Sequence, residues 1–345
     1  MLGVWYGIWG LVSATAYFWV REVNWRLFCL IGVSIMGVSF ILMGFADTYR
    51  NLMLLMALNG AAAGMVASPT MTILGDGAKP ENGFSTMIIF SVLGAAGLLV
   101  LMPIASDMAG FKGTMYLLGG TTLATGLVVP LIPSENSTKE LFEAKSASEF
   151  ANSNVMSNNF ILPALSLLTM VLFCFAFLGS WAFFERIGHY SELNAQVIGQ
   201  MLAFGTMFGA IGAPLMAFLI KIISMHYLYL LTIFCTVASI SLFSVLPLTP
   251  ATYLALVCLF QFSINGGFCL IMAQTAEVDK IGRFVALIPA AEAAGGLLGP
   301  PITGWTIEHF GMNQMILLTA IVFILGALLF SYVDRKNLNR PCNQT

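Results

Sequence analysis

The chain has 345 residues, of which 59% are hydrophobic and only 9% are charged, and its formal net charge is −2. A soluble domain carries about 25% charged residues, so this composition excludes an ordinary soluble protein and indicates a polytopic membrane protein. A net charge of −2 gives none of the strongly basic character that nucleic-acid binding requires, so no nucleic-acid partner is expected.

Apolar runs of near 20 residues recur along the chain, which is the length that an α-helix needs to cross a bilayer. The runs do not alternate between apolar and polar residues, so a β-barrel is not expected. The predicted fold class is therefore all-α, a polytopic bundle of helices in a lipid bilayer. We expect eleven spans, at about residues 1–20, 27–46, 52–74, 84–104, 114–133, 160–184, 196–220, 226–246, 252–275, 284–305 and 314–333.

One connecting segment is much longer than the others. Residues 134–159 contain four glutamates, two lysines and many Ser and Asn residues, a composition typical of a solvated linker. This segment divides five expected spans from six. We therefore predict an N-terminal bundle of five spans at 1–133, a linker loop at 134–159, a C-terminal bundle of six spans at 160–333, and a tail at 334–345.

Lys and Arg residues are distributed unevenly between the two sides of the expected spans. Short loops with an excess of these residues face the cytoplasm. We therefore expect the linker, the tail and the C-terminus to be cytoplasmic, with the protein in the plasma membrane (the cell inner membrane). Arg50, Lys112 and Arg186 fall on one side, and eleven residues fall on the other: Arg21, Arg26, Lys79, Lys139, Lys145, Lys221, Lys280, Arg283, Arg335, Lys336 and Arg340.

The expected span 284–305 carries one carboxyl group, that of Glu292, near its middle. Small residues share its helical face, and they let another helix or a ligand approach closely. An ionisable group inside a span is a functional-site hypothesis by default, so Glu292 is a candidate for binding a proton or a substrate. The alternative is that the glycines only pack and that Glu292 is a neutral structural acid. The shared face comprises Val285, Ile288, Gly295, Gly296, Gly299 and Thr303.

An earlier stretch of the chain repeats this pattern. Ala95-Ala96-Gly97, Leu99 and Pro103-Ile104 match Ala293-Ala294-Gly295, Leu297 and Pro301-Ile302 at a constant spacing, which suggests two related halves. Small residues permit close helix contact, and proline removes a helix hydrogen bond. The candidate packing or hinge positions are Gly295, Gly296, Gly299, Pro300, Gly97 and Pro103.

Three amides also lie at membrane depth in the expected spans. Gln261 and Asn265 are four residues apart, so they share a helix face, and Asn59 lies within the span 52–74. All three are candidates for contacting a substrate. The alternative is interhelical hydrogen bonding, which contributes only about 0.6 kcal/mol for each bond.

The cysteines and histidines give no sign of a metal site or of a catalytic site. The six cysteines include no CxxC pair, and the three histidines never cluster. No nucleophile arrangement or phosphate-binding loop is present either. We therefore expect no metal, no cofactor and no enzymatic activity.

Four segments resemble helices of one family of membrane carriers. Residues 51–64 (NLMLLMALNGAAAG) are similar to its fourth helix, residues 110–116 to the start of its sixth, and residues 181–188 (WAFFERIG) to the end of its seventh. The pattern Gly295-x-x-x-Gly299-Pro300 is similar to its eleventh helix. The family is the major facilitator superfamily, and the resemblance covers almost the whole chain. It implies two helical bundles with a long cytoplasmic loop between them.

The chain also departs from the pattern of that family. Segment 1–20 takes the place of the family's second helix, so we expect a chain without the first helix. The loop 20–26 keeps basic residues but not the family's Gly-x-x-x-Asp-Arg-x-Gly-Arg-Arg signature. The fourth helix often carries an arginine linked to proton coupling, and here the counterpart region holds Asn59.

The resemblance implies a secondary active transporter of a small organic solute that works by alternating access. It leaves proton coupling open. The alternative is an inactive or non-transporting fragment, or a sensor, derived from such a carrier. The expected partners are a small-molecule solute, a proton or another coupling ion, and the lipid bilayer.

Overall fold

The computed structural model describes residues 2–132, 160–190, 194–280 and 282–338, and every regular element in them is helical. The predicted all-α membrane fold is confirmed. The predicted linker 134–159 lies outside the described residues. Twelve α-helices occur in the described ranges: α1 (Leu2–Trp19), α2 (Trp25–Met43), α3 (Tyr49–Gly75), α4 (Pro80–Thr125), α5 (Ile161–Trp181), α6 (Phe184–Tyr190), α7 (Ala195–Gly209), α8 (Gly212–Leu219), α9 (Met225–Leu242), α10 (Pro250–Val278), α11 (Ile288–Phe310) and α12 (Met312–Leu338), with 3₁₀ helices at Gly126–Leu131 and Val285–Leu287.

Side-chain caps fix the start of several helices. The backbone N–H of Leu27 donates to Asn24 Oδ1 at 3.1 Å before α2, and the N–H of Thr252 donates to Thr249 Oγ1 at 3.3 Å before α10. These bonds satisfy N–H groups that the first helical turn leaves without a partner. Pro250 begins α10, where the absence of its N–H removes no helix hydrogen bond.

Helix α4 has a sharp break in its middle. The backbone leaves helical geometry at Ala109 (φ −144°) and at Gly110 (φ 60°, ψ −150°). Gly110 tolerates this positive φ because it has no Cβ atom. The break falls between the expected spans 84–104 and 114–133, which therefore lie on either side of it.

Nine helical segments in the described residues are long and apolar enough to cross a membrane, so the chain is an integral multi-pass membrane protein. The expected division into five and six spans is not confirmed. Two expected spans fall inside one segment of 52 residues, Pro80–Leu131, which contains the break at Ala109 and Gly110 and has more than twice the about 20 residues that one crossing needs. Helix α1 is not among the nine, since its 18 residues include Trp, Tyr, Gly, Ser and Thr.

The helices pack in two groups. Helices α1 to α4 contact one another, and α5 to α12 contact one another. Contacts between the groups run between α1 and α11, between α3 and the start of α11 with its preceding 3₁₀ helix, and between α4 and the three helices α7, α8 and α10. Helix α12 continues as far as Leu338, so the expected tail boundary at residue 334 lies inside a helix.

Candidate functional site

Glu292 lies where α1, α5 and α11 meet. The residue is partly exposed, but its Oε1 atom is buried and has no hydrogen-bond partner among the described residues. Its carboxyl group is close enough for electrostatic interaction with Tyr6 on α1 and Cys174 on α5. Burying an isolated charge is costly, so this environment favours the neutral carboxyl group until a cation or water reaches it.

The small residues of α11 form its contact with α5. A Cβ atom added at Gly295 would lie 2.6 Å from Cys174 Cβ and 2.7 Å from the backbone nitrogen of Phe175, closer than real Cβ atoms approach. Further along, Thr303 Oγ1 donates to the backbone oxygen of Gly179 at 3.1 Å. The glycines near Glu292 therefore bring two helices together. The six residues expected to share the helical face of Glu292 are all buried: Val285, Ile288, Gly295, Gly296, Gly299 and Thr303.

Gly296 faces α1 instead of α5. A Cβ atom added there would lie 2.5 Å from Tyr6 Cε1, so the Tyr6 ring lies against α11 one turn from Glu292. The Tyr6 ring packs on Trp5 and Trp9, with ring centroids 5.1 Å and 5.8 Å away, and the two tryptophan rings are 5.0 Å apart. We call Trp5, Tyr6 and Trp9 the aromatic cluster. Tyr6 is the member of the cluster that contacts α11 beside the acid, and Trp5 and Trp9 pack against its ring.

Two further polar atoms of α1 are buried without a hydrogen-bond partner in the described part of the chain, Trp9 Nε1 and Ser13 Oγ. A buried polar group left unsatisfied costs about 1–3 kcal/mol. Together with Glu292 Oε1, these atoms give the contacting helices α1 and α11 three unsatisfied polar atoms. The indole N–H of Trp9 can donate to water or to a ligand, the hydroxyl group of Ser13 can donate or accept, and the carboxyl group of Glu292 can also exchange a proton.

Asn59, one of the candidate substrate residues, is completely buried and its amide is already engaged. Its Oδ1 accepts a hydrogen bond from Trp5 Nε1 at 2.9 Å, and its Nδ2 donates to Ser39 Oγ at 2.8 Å and to Met36 O at 3.2 Å. These bonds tie α1, α2 and α3 together, so the geometry favours a packing role that holds Trp5 in place. Contact between Asn59 and a substrate stays a prediction.

Gln261 and Asn265 lie on α10, away from Glu292. Asn265 Nδ2 donates to the backbone oxygen of Gln261 at 2.8 Å, and Gly209 of α7 packs against both residues. Helix α10 packs chiefly on α7, α8 and α9, whereas α11 packs chiefly on α5 and α1. The structure therefore does not bring this pair to the acid, and their role in a substrate site stays a prediction.

The candidate hinge positions have different surroundings. Gly97 and Pro103 on α4 are exposed, and a Cβ atom added at Gly97 would meet nothing within 4 Å. Helix α11 continues through Pro300 and Pro301 without a break in its assigned helix. Hinge motion at any of these positions stays a prediction.

We call the contact between α1 and α11 the α1–α11 seam. A charged contact joins the two groups of helices at one end of this seam. Arg21, just after α1, donates from Nη2 to Asp76 Oδ1 at 2.8 Å and from Nε to the backbone oxygen of Gly282 at 3.1 Å. Asp76 follows α3, and Gly282 precedes α11, so one guanidinium group links three loops. We call Arg21, Asp76 and Gly282 the Arg21 clasp.

Asp279 shapes the Gly282 loop of this clasp. Its carboxylate accepts hydrogen bonds from the backbone N–H groups of Gly282 at 2.8 Å, Phe284 at 2.6 Å and Val285 at 2.9 Å. Burial raises the pKa of the Asp279 carboxyl group above its ordinary value, although these backbone hydrogen bonds lower it. The loop is therefore held in the conformation that presents its carbonyl group to Arg21.

Sequence reasoning missed the aromatic cluster and the Arg21 clasp. The four-residue spacing of Trp5 and Trp9 was a usable signal, because residues at this spacing lie on one helix face. No local pattern could have paired Tyr6 with Glu292 or Arg21 with Gly282. Those pairs depend on the packing of α1 against α11 and on the loop that precedes α11.

A multi-pass helical protein in which two groups of helices meet beside a buried acid is typical of membrane carriers. The family model for the Major Facilitator Superfamily matches residues 2–281. Because the match covers most of the sequence, the chain belongs to the major facilitator superfamily.

Two solved structures share this fold. The human organic anion transporter MFSD10 (TETRAN) superposes with a TM-score of 0.76 at 13% identity, over 95% of this chain and 82% of that chain. The E. coli fucose:proton symporter FucP superposes with a TM-score of 0.69 at 12% identity, over 99% of this chain and 90% of that chain. At such low identities the likeness shows the fold alone.

One curated protein matches a short part of the sequence. Inositol transporter 4 of Arabidopsis thaliana is 29% identical over 69 residues. The alignment covers 20% of this chain and 12% of that transporter, so the chain matches only a small fraction of its relative's length.

Proposed function

We propose that the chain is a secondary active transporter of a small organic solute, and that it works by alternating access. One observation carries the proposal: the buried carboxyl group of Glu292 has an unpartnered oxygen and lies where α11 meets α1 of the other group of helices. In carriers of this type the solute site lies near the middle of the membrane, between the two moving parts.

The proposed moving parts are residues 1–133 and 160–333, joined by the linker 134–159. Their described helices meet along the α1–α11 seam and where α4 packs on α7, α8 and α10. A rocking motion about these contacts opens the seam first on one side of the membrane and then on the other. Membership of the superfamily, and solved relatives that are themselves named as transporters, support this motion.

The Arg21 clasp is proposed to close one side of the seam. The side chains of Arg21 and Asp76 are 13% and 17% exposed, so water reaches both. The ion pair is proposed to form and break in each transport cycle. The distribution of Lys and Arg supports a cytoplasmic position for the clasp and the C-terminus, with the chain in the plasma membrane.

Glu292 is proposed to couple transport to a proton. No Lys or Arg occurs in α1, α5 or α11, so none of the three helices supplies a basic partner for the carboxylate. Burial favours the neutral carboxyl group, and entry of water on one side favours release of its proton. The residue therefore has the chemistry to bind a proton on one side of the membrane and release it on the other.

Uptake into proteoliposomes tests the proposal. The purified full chain is reconstituted, a pH gradient is imposed, and accumulation is measured for labelled quaternary ammonium ions, polyols, sugars and monocarboxylates. We expect at least one class to accumulate above its external concentration and to leak out again when a protonophore removes the gradient. If folded, monodisperse protein neither accumulates nor exchanges any class, the proposal is wrong and the non-transporting alternative is favoured.

A further inference from the structure

We infer that the solute is a monovalent lipophilic organic cation, which pairs its charge with Glu292 and places its apolar groups against the aromatic cluster of α1. The inference rests on the proposed transport function, whose substrate class it names. It follows from the charge, the rings and the remaining hydrogen-bonding groups at the meeting point of α1, α5 and α11.

The charge of the site calls for a cation. The Oε1 atom of Glu292 is buried without a hydrogen-bond partner among the described residues, and α1, α5 and α11 contain no Lys or Arg. An ionised carboxyl group at this depth needs a positive partner. A proton or a positively charged solute can supply it, whereas an anionic solute would be repelled.

The aromatic cluster suits the rest of such a molecule. The faces of Trp and Tyr rings attract cations within about 6 Å and also bury apolar groups. Trp5 and Tyr6 meet at an interplanar angle of 79°, and Tyr6 and Trp9 meet at 40°. The three rings therefore face different directions, and the Tyr6 ring lies one turn of α11 from Glu292.

The hydrogen-bonding groups do not suit a sugar or a polyol. The amide of Asn59 is engaged with Trp5, Ser39 and Met36, so neither the amide nor Trp5 Nε1 is spare. The unpartnered atoms near the cluster are Trp9 Nε1, Ser13 Oγ and Glu292 Oε1. A polyol brings several hydroxyl groups, and each one buried without a partner is costly. A cation with apolar substituents needs one counter-charge and few hydrogen bonds.

Binding of such a cation exchanges it for a proton. The neutral carboxyl group of Glu292 gives its proton to water, and the resulting carboxylate pairs with the cation. No covalent bond of the solute changes, and the net charge of the occupied site equals that of the protonated empty site. One proton is therefore released for each cation bound, which links the proposed substrate to the proposed coupling.

A binding measurement on the purified full chain tests the inference. The probe is benzyltrimethylammonium, and its neutral isostere neopentylbenzene has a carbon in place of the charged nitrogen. Titration calorimetry in two buffers with different heats of ionisation gives the affinity and the number of protons released. We expect the cation to bind at least tenfold more tightly than the isostere and to release close to one proton below the pH at which Glu292 ionises.

Two substitutions in the same helix supply the matched comparison. Glu292→Gln keeps the shape of the side chain but removes its charge, so we expect at least a tenfold loss of affinity and no proton release. Glu308→Gln makes the same chemical change at an exposed position of α11, and we expect wild-type binding.

Glu292→Asp keeps a carboxyl group and is expected to retain proton release with weaker binding, which separates loss of charge from loss of fold. Trp9→Leu is expected to weaken binding several-fold.

The outcomes distinguish this inference from the transport proposal. Equal binding of the isostere, or wild-type binding by Glu292→Gln, would overturn the cation assignment. So would the absence of binding by tetramethylammonium, benzyltrimethylammonium and tetraphenylphosphonium alike. If proteoliposomes then accumulate a polyol or a carboxylate, transport stands and only the substrate class is wrong. If they accumulate nothing, both proposals fail.

Discussion

Helices α4 and α11 carry the same small-residue motif in opposite surroundings. In α11, Gly299 lies so close to α5 that an added Cβ would meet the backbone oxygen of Phe175 at 2.5 Å. In α4, Gly94 and Gly97 have nothing within 4 Å of an added Cβ. Small residues thus permit a close helix contact without creating one. The contact forms only where another helix packs against the face that carries them.

Glu292 is the main chemical difference between the two matched stretches. The spacing that matches Gly97 with Gly295 also matches Gly94 with Glu292, so the acid is the part of α11 that α4 does not repeat. Shared glycines are explained by a shared helix architecture. An acid that only one half carries, and that the structure buries between helices, is better explained by function.

The largest effect is expected from a leucine at the packed glycine. Gly295→Leu forces a side chain into Cys174 and the backbone of α5, and a clash with backbone atoms cannot be relieved by a rotamer change. We expect loss of most monodisperse protein in detergent. Size-exclusion chromatography of a fluorescent fusion measures this directly.

Gly97→Leu in α4 is the matched control. An added Cβ there meets no atom within 4 Å, so we expect a yield within about twofold of the wild type, since exposed substitutions usually change stability by about 0.5 kcal/mol or less. Equal loss of protein in both variants would show that the two stretches do not differ as described.

A smaller effect is expected at the α1–α11 seam. Ala293 is 1% exposed, and a Cβ atom added at Gly10 of α1 would lie 3.0 Å from its Cβ. Overpacking at such a position costs about 1–3 kcal/mol, so Ala293→Leu should lower the thermal midpoint, measured by a thiol-reactive dye assay. Its repeat counterpart Ala95 is exposed, and Ala95→Leu should leave the midpoint unchanged. A lower midpoint for Ala95→Leu alone would contradict the packing.

The smallest effect is a gain of stability in α4. Glycine inside a helix is destabilising by about 0.5–1 kcal/mol relative to alanine, and Gly94 has room for a methyl group. Gly94→Ala should therefore raise the thermal midpoint slightly. Gly296→Ala should lower it, because the new Cβ meets the Tyr6 ring. A midpoint that moves in the same direction for both variants would contradict the different surroundings of the two helices.

The sequence predicted the fold class well because the signal is repeated many times. Each span requires about 20 apolar residues, and the expected span 252–275 falls within α10, which the structure places at Pro250–Val278. The number of crossings was less predictable. The break at Gly110 lies inside one long helical segment. Helix α1 lies within the expected span 1–20, but it is not among the nine segments of the described residues that are long and apolar enough to cross a membrane.

The site was only partly predictable. Glu292 is recognisable from the sequence, because one acid in an apolar span is rare. The engagement of Asn59 by Trp5 and the packing of Tyr6 on Gly296 depend on contacts between distant segments. Helical periodicity gives the face on which a residue lies, but it does not identify the helix that covers that face.

The central claim is that the carboxyl group of Glu292 couples transport to a proton. The most direct measurement compares uptake driven by a pH gradient, in proteoliposomes that contain equal amounts of wild-type, Glu292→Gln or Glu308→Gln protein. We expect Glu308→Gln to remain within about twofold of the wild type, since small changes at exposed positions rarely matter. Glu292→Gln should fold normally, retain less than about one tenth of the uptake, and lose its pH dependence, because an amide cannot exchange a proton. Wild-type uptake with unchanged pH dependence in Glu292→Gln would contradict the claim and leave the acid a packing residue.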